Sequence, residues 1–293
     1  MAMTKTTGVP TETRKPRDDE VDVYGLTHAG KIRPVNQDHF LICQLEKRIR
    51  IYQTSLPDGD RFGHSGERMA FLAMVADGVG GGSKGEAASR LALHAATEYV
   101  AASTRAFQHL DTTDDQAFLD ALQEAAWQCH ARVIAEAEGD PDLKGMATTL
   151  TLWLAVWPRA YLLQIGDSRF YMYANGELTK VSRDQTMAQD LVDQGVLRHS
   201  TAFETRWANV LSSSIGGAQT VPVVTRMDQE WGNVYLLCSD GLTKHVPEER
   251  IAERLASMTS ARQACEGLME DAIQDGASDN VTIIVGRDVK KED

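Results

Sequence analysis

The stretch MAFLAMVADGVGGGSKGEAASRLALHAATEYV, residues 69–100, decides how the chain folds. Met69–Ala76 is an apolar run with the length of a buried strand. It stops at Asp77-Gly78, passes through a glycine-rich turn, Gly78 to Gly85, and enters a helical pattern in which Ala87, Leu91, Ala95 and Tyr99 recur every four residues. Gly80, Gly82 and Gly85 satisfy GxGxxG between a strand and a helix, and Glu98 follows 18 residues after Gly80, as in a dinucleotide fingerprint. The context rejects that reading. The next pattern is a second long helix, Asp115 to Glu138, with Leu119, Leu122, Ala126, Cys129 and Val133 on one face. No βαβ unit forms, and no following strand carries a ribose-binding acid. A phosphate-binding P-loop fails as well, because Gly85 follows Lys84 where Ser or Thr is needed.

Outward from this stretch the period changes to two. Val21–Leu26, Phe40–Gln44 and Arg48–Thr54 precede it as strand patterns, with a Gly/Pro/Asp-rich loop at 55–68. After it, Thr148–Val156, Ala160–Gly166 and Arg169–Ala174 read as strands, and Asn175-Gly176 is a two-residue hairpin signal before Glu177–Val181. Gln185–Gly195 is helical and 196–220 irregular; Val234–Cys238 is a buried strand, 247–257 and 260–274 are helices, and Val281–Val285 is the last strand. Antiparallel hairpins between helical segments exclude a doubly wound parallel sheet and suit sheets covered by helices in one α+β domain.

The chain has 293 residues with a formal net charge of −12. Residues 1–20 carry four acids and four bases, and 287–293 three of each, so the whole imbalance lies in 21–286. That excludes a nucleic-acid binder relying on a broad basic face. Cys43, Cys129, Cys238 and Cys265 are far apart, form no CxxC pair and read as buried free thiols of a reducing cytosol. No signal peptide is readable, and no apolar run is long enough to span a bilayer. Residues 1–20, rich in Thr, Pro and charge, read as a disordered tail, and 287–293 as a short charged one.

Asp77 and Asp240 each end an apolar run and precede glycine; Asp279 opens one. A single Asp-Gly reads as a turn. Three acids at the mouths of buried strands demand partners, because an isolated carboxylate there is costly. Asp38, in Arg33-Pro34-Val35-Asn36-Gln37-Asp38, and Asp167, between two strands, join them. If the five converge, the site is all oxygen, which suits Mg²⁺ or Mn²⁺; zinc is disfavoured, since there is no HExxH and no cysteine cluster. Neighbouring carboxylates raise one another's pKa unless neutralised, and two divalent cations resolve that. Water held between such ions becomes a nucleophile for in-line displacement at phosphorus. Arg33 is a candidate for the phosphate oxygens, or an ordinary surface arginine.

RPVNQD (33–38), VADGVGG (75–81), GMATT (145–149), IGDSR (165–169), CSDGL (238–242) and SDNVTIIV (278–285) occur in an order that resembles the metal-dependent Ser/Thr protein phosphatases of the protein phosphatase 2C family, in its bacterial style. The resemblance covers about 21–286. It implies a four-layer sandwich of two antiparallel β-sheets flanked by pairs of α-helices, with two core Mn²⁺ or Mg²⁺ ions at one end and a third, weaker one. By motif, Asp77 would bridge the core ions, the Gly78 carbonyl would bind one, and Asp240 and Asp279 would complete the set. Asp38 would position water, Asp167 would serve the third ion with Asp240, and Arg33 would bind the substrate phosphate. Thr148 would lie on a strand beside the site, and 196–216 would form a substrate-selecting flap. Val79 stands where many eukaryotic members carry a histidine proposed as general acid, and Gln37 where they carry a metal-binding Glu. His39 is a nearby but unassigned histidine.

The resemblance implies hydrolysis of phosphoserine and phosphothreonine by a cytoplasmic monomer that opposes a bacterial Ser/Thr kinase, with no nucleic-acid or membrane partner. The alternative is a pseudophosphatase that binds phosphoproteins as a regulatory module.

Overall fold

The computed structural model describes residues 14–46, 49–55, 69–107, 115–198 and 205–291. Two antiparallel sheets carry the fold. The first runs β1 (Val21–His28), β13 (Val281–Asp288), β12 (Val234–Cys238), β9 (Arg169–Ala174), β10 (Glu177–Lys180). The second runs β11 (Val223–Asp228), β8 (Arg159–Ile165), β7 (Leu150–Val156), β4 (Ala70–Ala76), β2 (His39–Leu45), β3 (Ile49–Thr54). A short ladder, β5 (Gly78–Val79) with β6 (Ala147–Thr148), lies apart.

Side-chain alternation assigns each strand face to a layer. On β4, Phe71, Ala73 and Val75 meet Trp153, Phe170, Tyr235 and Ile284 between the sheets. Leu72, Met74 and Ala76 point the other way, onto α1 (Ser83–Phe107) and α2 (Asp115–Gly139). Val281, Ile283 and Val285 of β13 likewise face α5 (Glu248–Ala256) and α6 (Ala261–Gln274). Helices on both outer faces explain why β4 and β12 read as unbroken apolar runs: both of their faces are buried. The four-layer α+β sandwich is the expected architecture. The hairpin at 175–176 forms as its Asn-Gly signal requires, with φ of 52° and 84°.

Three features differ from the sequence reading. Order begins before residue 21: Asp18–Glu20 form a 3-10 turn, and the buried Glu20 carboxylate takes two hydrogen bonds of 2.7 Å from Arg14. Glu20 also joins the other chain end, its carbonyl accepting from Val289 at 2.7 Å, and β13 continues to Asp288. β11 escapes a reading by alternation because it is a half-exposed edge strand. The helix α4 (Asp240–Thr243) has one turn, too short to show a period, while α3 (Met187–Asp193) is shorter than its pattern. The loop expected at 55–68 lies outside the described residues from 56 onward, as do 199–204 of the expected flap.

Candidate metal centre

Asp77 follows the last residue of β4. Its backbone is fixed by the strand that runs beside it: its carbonyl accepts from the Thr148 hydroxyl at 2.8 Å and Thr149 N–H at 2.9 Å, while its own N–H donates to Thr149 Oγ1 at 3.0 Å. Thr149 Oγ1 is also 2.8 Å from Ser168 Oγ, beside Asp167, so a line of hydroxyls links the two acid-bearing turns. Thr148 thus has the structural place expected of it.

The glycines after Asp77 meet a backbone need rather than a nucleotide. Gly80, Gly81 and Gly82 have φ of 124°, 69° and 59°, conformations that other residues adopt at a cost. Gly78 is needed for close approach, since a Cβ there would lie 2.2 Å from the Gly85 carbonyl oxygen. Gln37 ties this loop down: its side-chain amide donates to Gly82 O at 2.5 Å.

The remaining acids come from elsewhere in the fold. Asp240 opens α4 after β12, and Asp279 lies two residues before β13. Asp38 directly precedes β2, and its Oδ2 accepts from the Thr282 hydroxyl of β13 at 2.8 Å. Asp167 occupies the turn from β8 to β9, which crosses from one sheet to the other. Burial pushes the Asp77 carboxyl well above the usual carboxylate range, and the charges of Asp38, Asp240, Asp167 and Asp279 push it further. Burial raises Asp167 too, with Asp240 and Asp184 adding to it. Asp38 is pushed up to about 6 by burial, with Asp240 and Asp279 acting against the Thr282 hydroxyl bond. Asp77 therefore lies within electrostatic reach of all four other predicted acids.

Asp279 goes the other way. Its burial is outweighed by Lys244 and Arg33, which hold it below the usual range. Arg33 grips it with Nε at 2.8 Å from Oδ1 and Nη2 at 3.1 Å from Oδ2, and its side chain remains 48% exposed at the rim. Lys244 Nζ stands 2.6 Å from Asp240 Oδ2 and 2.9 Å from Asp279 Oδ2. Sequence reasoning missed Lys244, although its place four residues after Asp240 on a helix was a legible signal. It missed Asn280 as well. That side chain accepts from Gln37 N–H at 2.9 Å and donates to Ala29 O at 2.9 Å and Val35 O at 3.0 Å, clipping the Arg33–Asp38 segment beside Asp279.

His39 lies elsewhere. It is buried, with Nδ1 3.0 Å from Ser89 Oγ on α1. Ser89 donates its one proton to Gln37 O at 2.5 Å, so His39 Nδ1–H is the donor between them. Burial, with the charges of Arg90 and His94, lowers its pKa to about 4 and keeps it neutral near pH 7.

The donors present fit a hard divalent cation. They are carboxylates whose mutual repulsion needs a counter-charge, and the buried Asp38 Oδ1 and Asp240 Oδ1 accept no hydrogen bond among the described residues. As they stand, no three of the described acids, histidines or cysteines form a group that could hold one ion, and Lys244 lies between two of the acids instead.

Among known proteins, the serine/threonine protein phosphatase PstP of Mycobacterium tuberculosis is 36% identical over 217 residues, 74% of this chain; the chain spans 40% of that relative's length. The serine/threonine phosphatase stp of Listeria innocua is 27% identical across 73% of the chain and 83% of its own length. The crystal structure of the PstP catalytic domain in complex with two manganese ions superposes with a TM-score of 0.70 at 29% identity, covering 92% of this chain and 99% of that one. Residues 50–275 match protein phosphatase 2C, and the chain belongs to that family.

Proposed function

We propose that the chain is a Mn²⁺- or Mg²⁺-dependent protein phosphatase acting on phosphoserine and phosphothreonine. The observation that carries this reading is the gathering of five aspartates, buried or half-buried, from both sheets at one end of the sandwich, with Asp77 held above its usual pKa by burial and, further, by the charges of the other four. The manganese-bound relative supports the choice of ion. Asp77, the Gly78 carbonyl, Asp240 and Asp279 would hold two ions, and Asp167 with Asp240 a third. Two divalent ions supply Lewis acidity toward the phosphoryl oxygens and lower the pKa of water.

The chain's own residues have the other roles. Asp38, oriented by Thr282, is placed to accept a proton from water. Arg33, at the rim, is placed to turn its exposed guanidinium edge to the phosphate. His39 is not a proton donor in this reading, since it is neutral and committed to Ser89. The four cysteines are free and buried, which supports a reducing compartment. The acidic body would favour phosphosites with basic flanks and a partner kinase whose products carry them.

The test is hydrolysis of p-nitrophenyl phosphate and of phosphothreonine peptides with Mn²⁺ or with EDTA. Activity should require metal. Asp77→Asn and Asp240→Asn should each lose at least about a hundredfold in kcat/KM, since altering mere supporting groups around a metal already costs about 10–100-fold. Full turnover in EDTA refutes the reading. Mn²⁺ binding without turnover indicates a phosphoprotein-binding module instead.

A further inference from the structure

Lys244 is tied to both strand-end acids and to neither by accident of a mobile surface. It caps the single turn of α4, its N–H bonded to Asp240 O at 2.9 Å, so its stem starts one turn from Asp240. From there Nζ reaches Asp240 and Asp279 together. The next residue braces the same loop from below: His245 Nε2 accepts from Ser278 N–H at 2.9 Å and faces Ser278 Oγ at 2.9 Å. The side chain of Lys244 is 32% exposed, and those of Asp240 and Asp279 are 19% and 20% exposed. The pairs are therefore close enough to neutralise the acids and open enough for the ammonium to swing away, since partly exposed ion pairs are weakly held.

We propose that Lys244 is an internal counter-ion that competes with the divalent cation for Asp240 and Asp279. It sets metal affinity and metal-free stability in opposite directions. The inference rests on the phosphatase reading of these two acids as ligands. One ammonium carries a single charge against two carboxylates, so a doubly charged ion displaces it, and the affinity measured is what remains after Lys244 is dislodged.

The experiment uses the full chain stripped with EDTA, in wild type, Lys244→Met, Lys244→Arg and Lys84→Met. Mn²⁺ binding is measured by calorimetry and Tm by thermal melts in EDTA and in saturating Mn²⁺. Lys244→Met should bind Mn²⁺ about tenfold more tightly and melt lower than wild type in EDTA, the two Tm values converging when Mn²⁺ saturates. Lys244→Arg should keep the EDTA Tm and bind no more tightly than wild type. Lys84→Met is a control for charge alone, because Lys84 Nζ donates to Lys144 O and touches none of the five acids; its affinity should stay within about twofold of wild type. If wild type binds Mn²⁺ and Lys244→Met binds equally or more weakly, Lys244 is not a competitor. A wild-type chain that binds no Mn²⁺ overturns the phosphatase reading itself, and the inference with it.

Discussion

At the scale of single residues, the buried polar groups carry the pH dependence. His39 is neutral when folded, with a pKa near 4, against an ordinary value of 6.5. Between those values the unfolded chain binds a proton that the folded chain refuses, so stability rises with pH there and is lost as pH falls from 6.5 to 4. The full span corresponds to about 3 kcal/mol as an upper figure. Urea melts from pH 7 to pH 4 should show this fall, and His39→Asn should flatten it; an unchanged slope in the variant would assign the acid sensitivity elsewhere. The same scale shows what the sequence could reveal. Asp77, Asp240 and Asp279 were legible because an acid at the mouth of an apolar run contradicts its surroundings. Lys244 showed only half of its meaning, its spacing of four from Asp240, because its second partner Asp279 lies 35 residues on; Asn280 showed none, because it serves Ala29, Val35 and Gln37, some 250 residues earlier.

Among elements, legibility followed length and period. The strands β4, β7, β8, β12 and β13 and the helices α1, α2 and α6 were readable from their patterns. The ladder of β5 with β6, two residues on each side, was not, because so short a pairing has no period. The glycine loop was legible as a turn but misleading as a motif: its residues serve three positive φ angles and one close packing contact. α4 lies against β13 through Gly241, where a Cβ would come within 1.9 Å of Asn280 O. Gly241→Ala must therefore push α4 from the entry of β13, separating Asp240 from Asp279. The expected result is a loss of about 2–3 kcal/mol in stability, with a fall in metal-dependent turnover. Gly176→Ala is the contrasting case. No atom lies near its Cβ, so only the left-handed φ of 84° resists, and the cost should be about 1 kcal/mol with activity intact. Chemical denaturation and phosphatase assays on the two variants separate crowding from backbone strain.

For the molecule as a whole, the excess of acid over base proved to have two parts. Most of it is solvated surface. The rest is concentrated at one end of the sandwich, and there it is divided between layers. Asp38 and Asp77 belong to the six-stranded sheet, Asp240 and Asp279 to the five-stranded one, and Asp167 to the crossing between them. The sheets are otherwise held together by apolar side chains, which resist separation but have little sense of direction. A cation shared across this seam, as proposed for the site, would act as a clasp on it, and like charges left bare would act as a wedge. Deuterium uptake by the amides of β2, β4, β12 and β13 nearest the acids should therefore slow when Mn²⁺ is added, while the 175–176 hairpin at the opposite end exchanges at the same rate. Uniform slowing throughout the chain would deny the clasp. The layer boundary, which elsewhere only excludes water, would at this end be a mechanical joint whose tightness depends on how much free metal surrounds it.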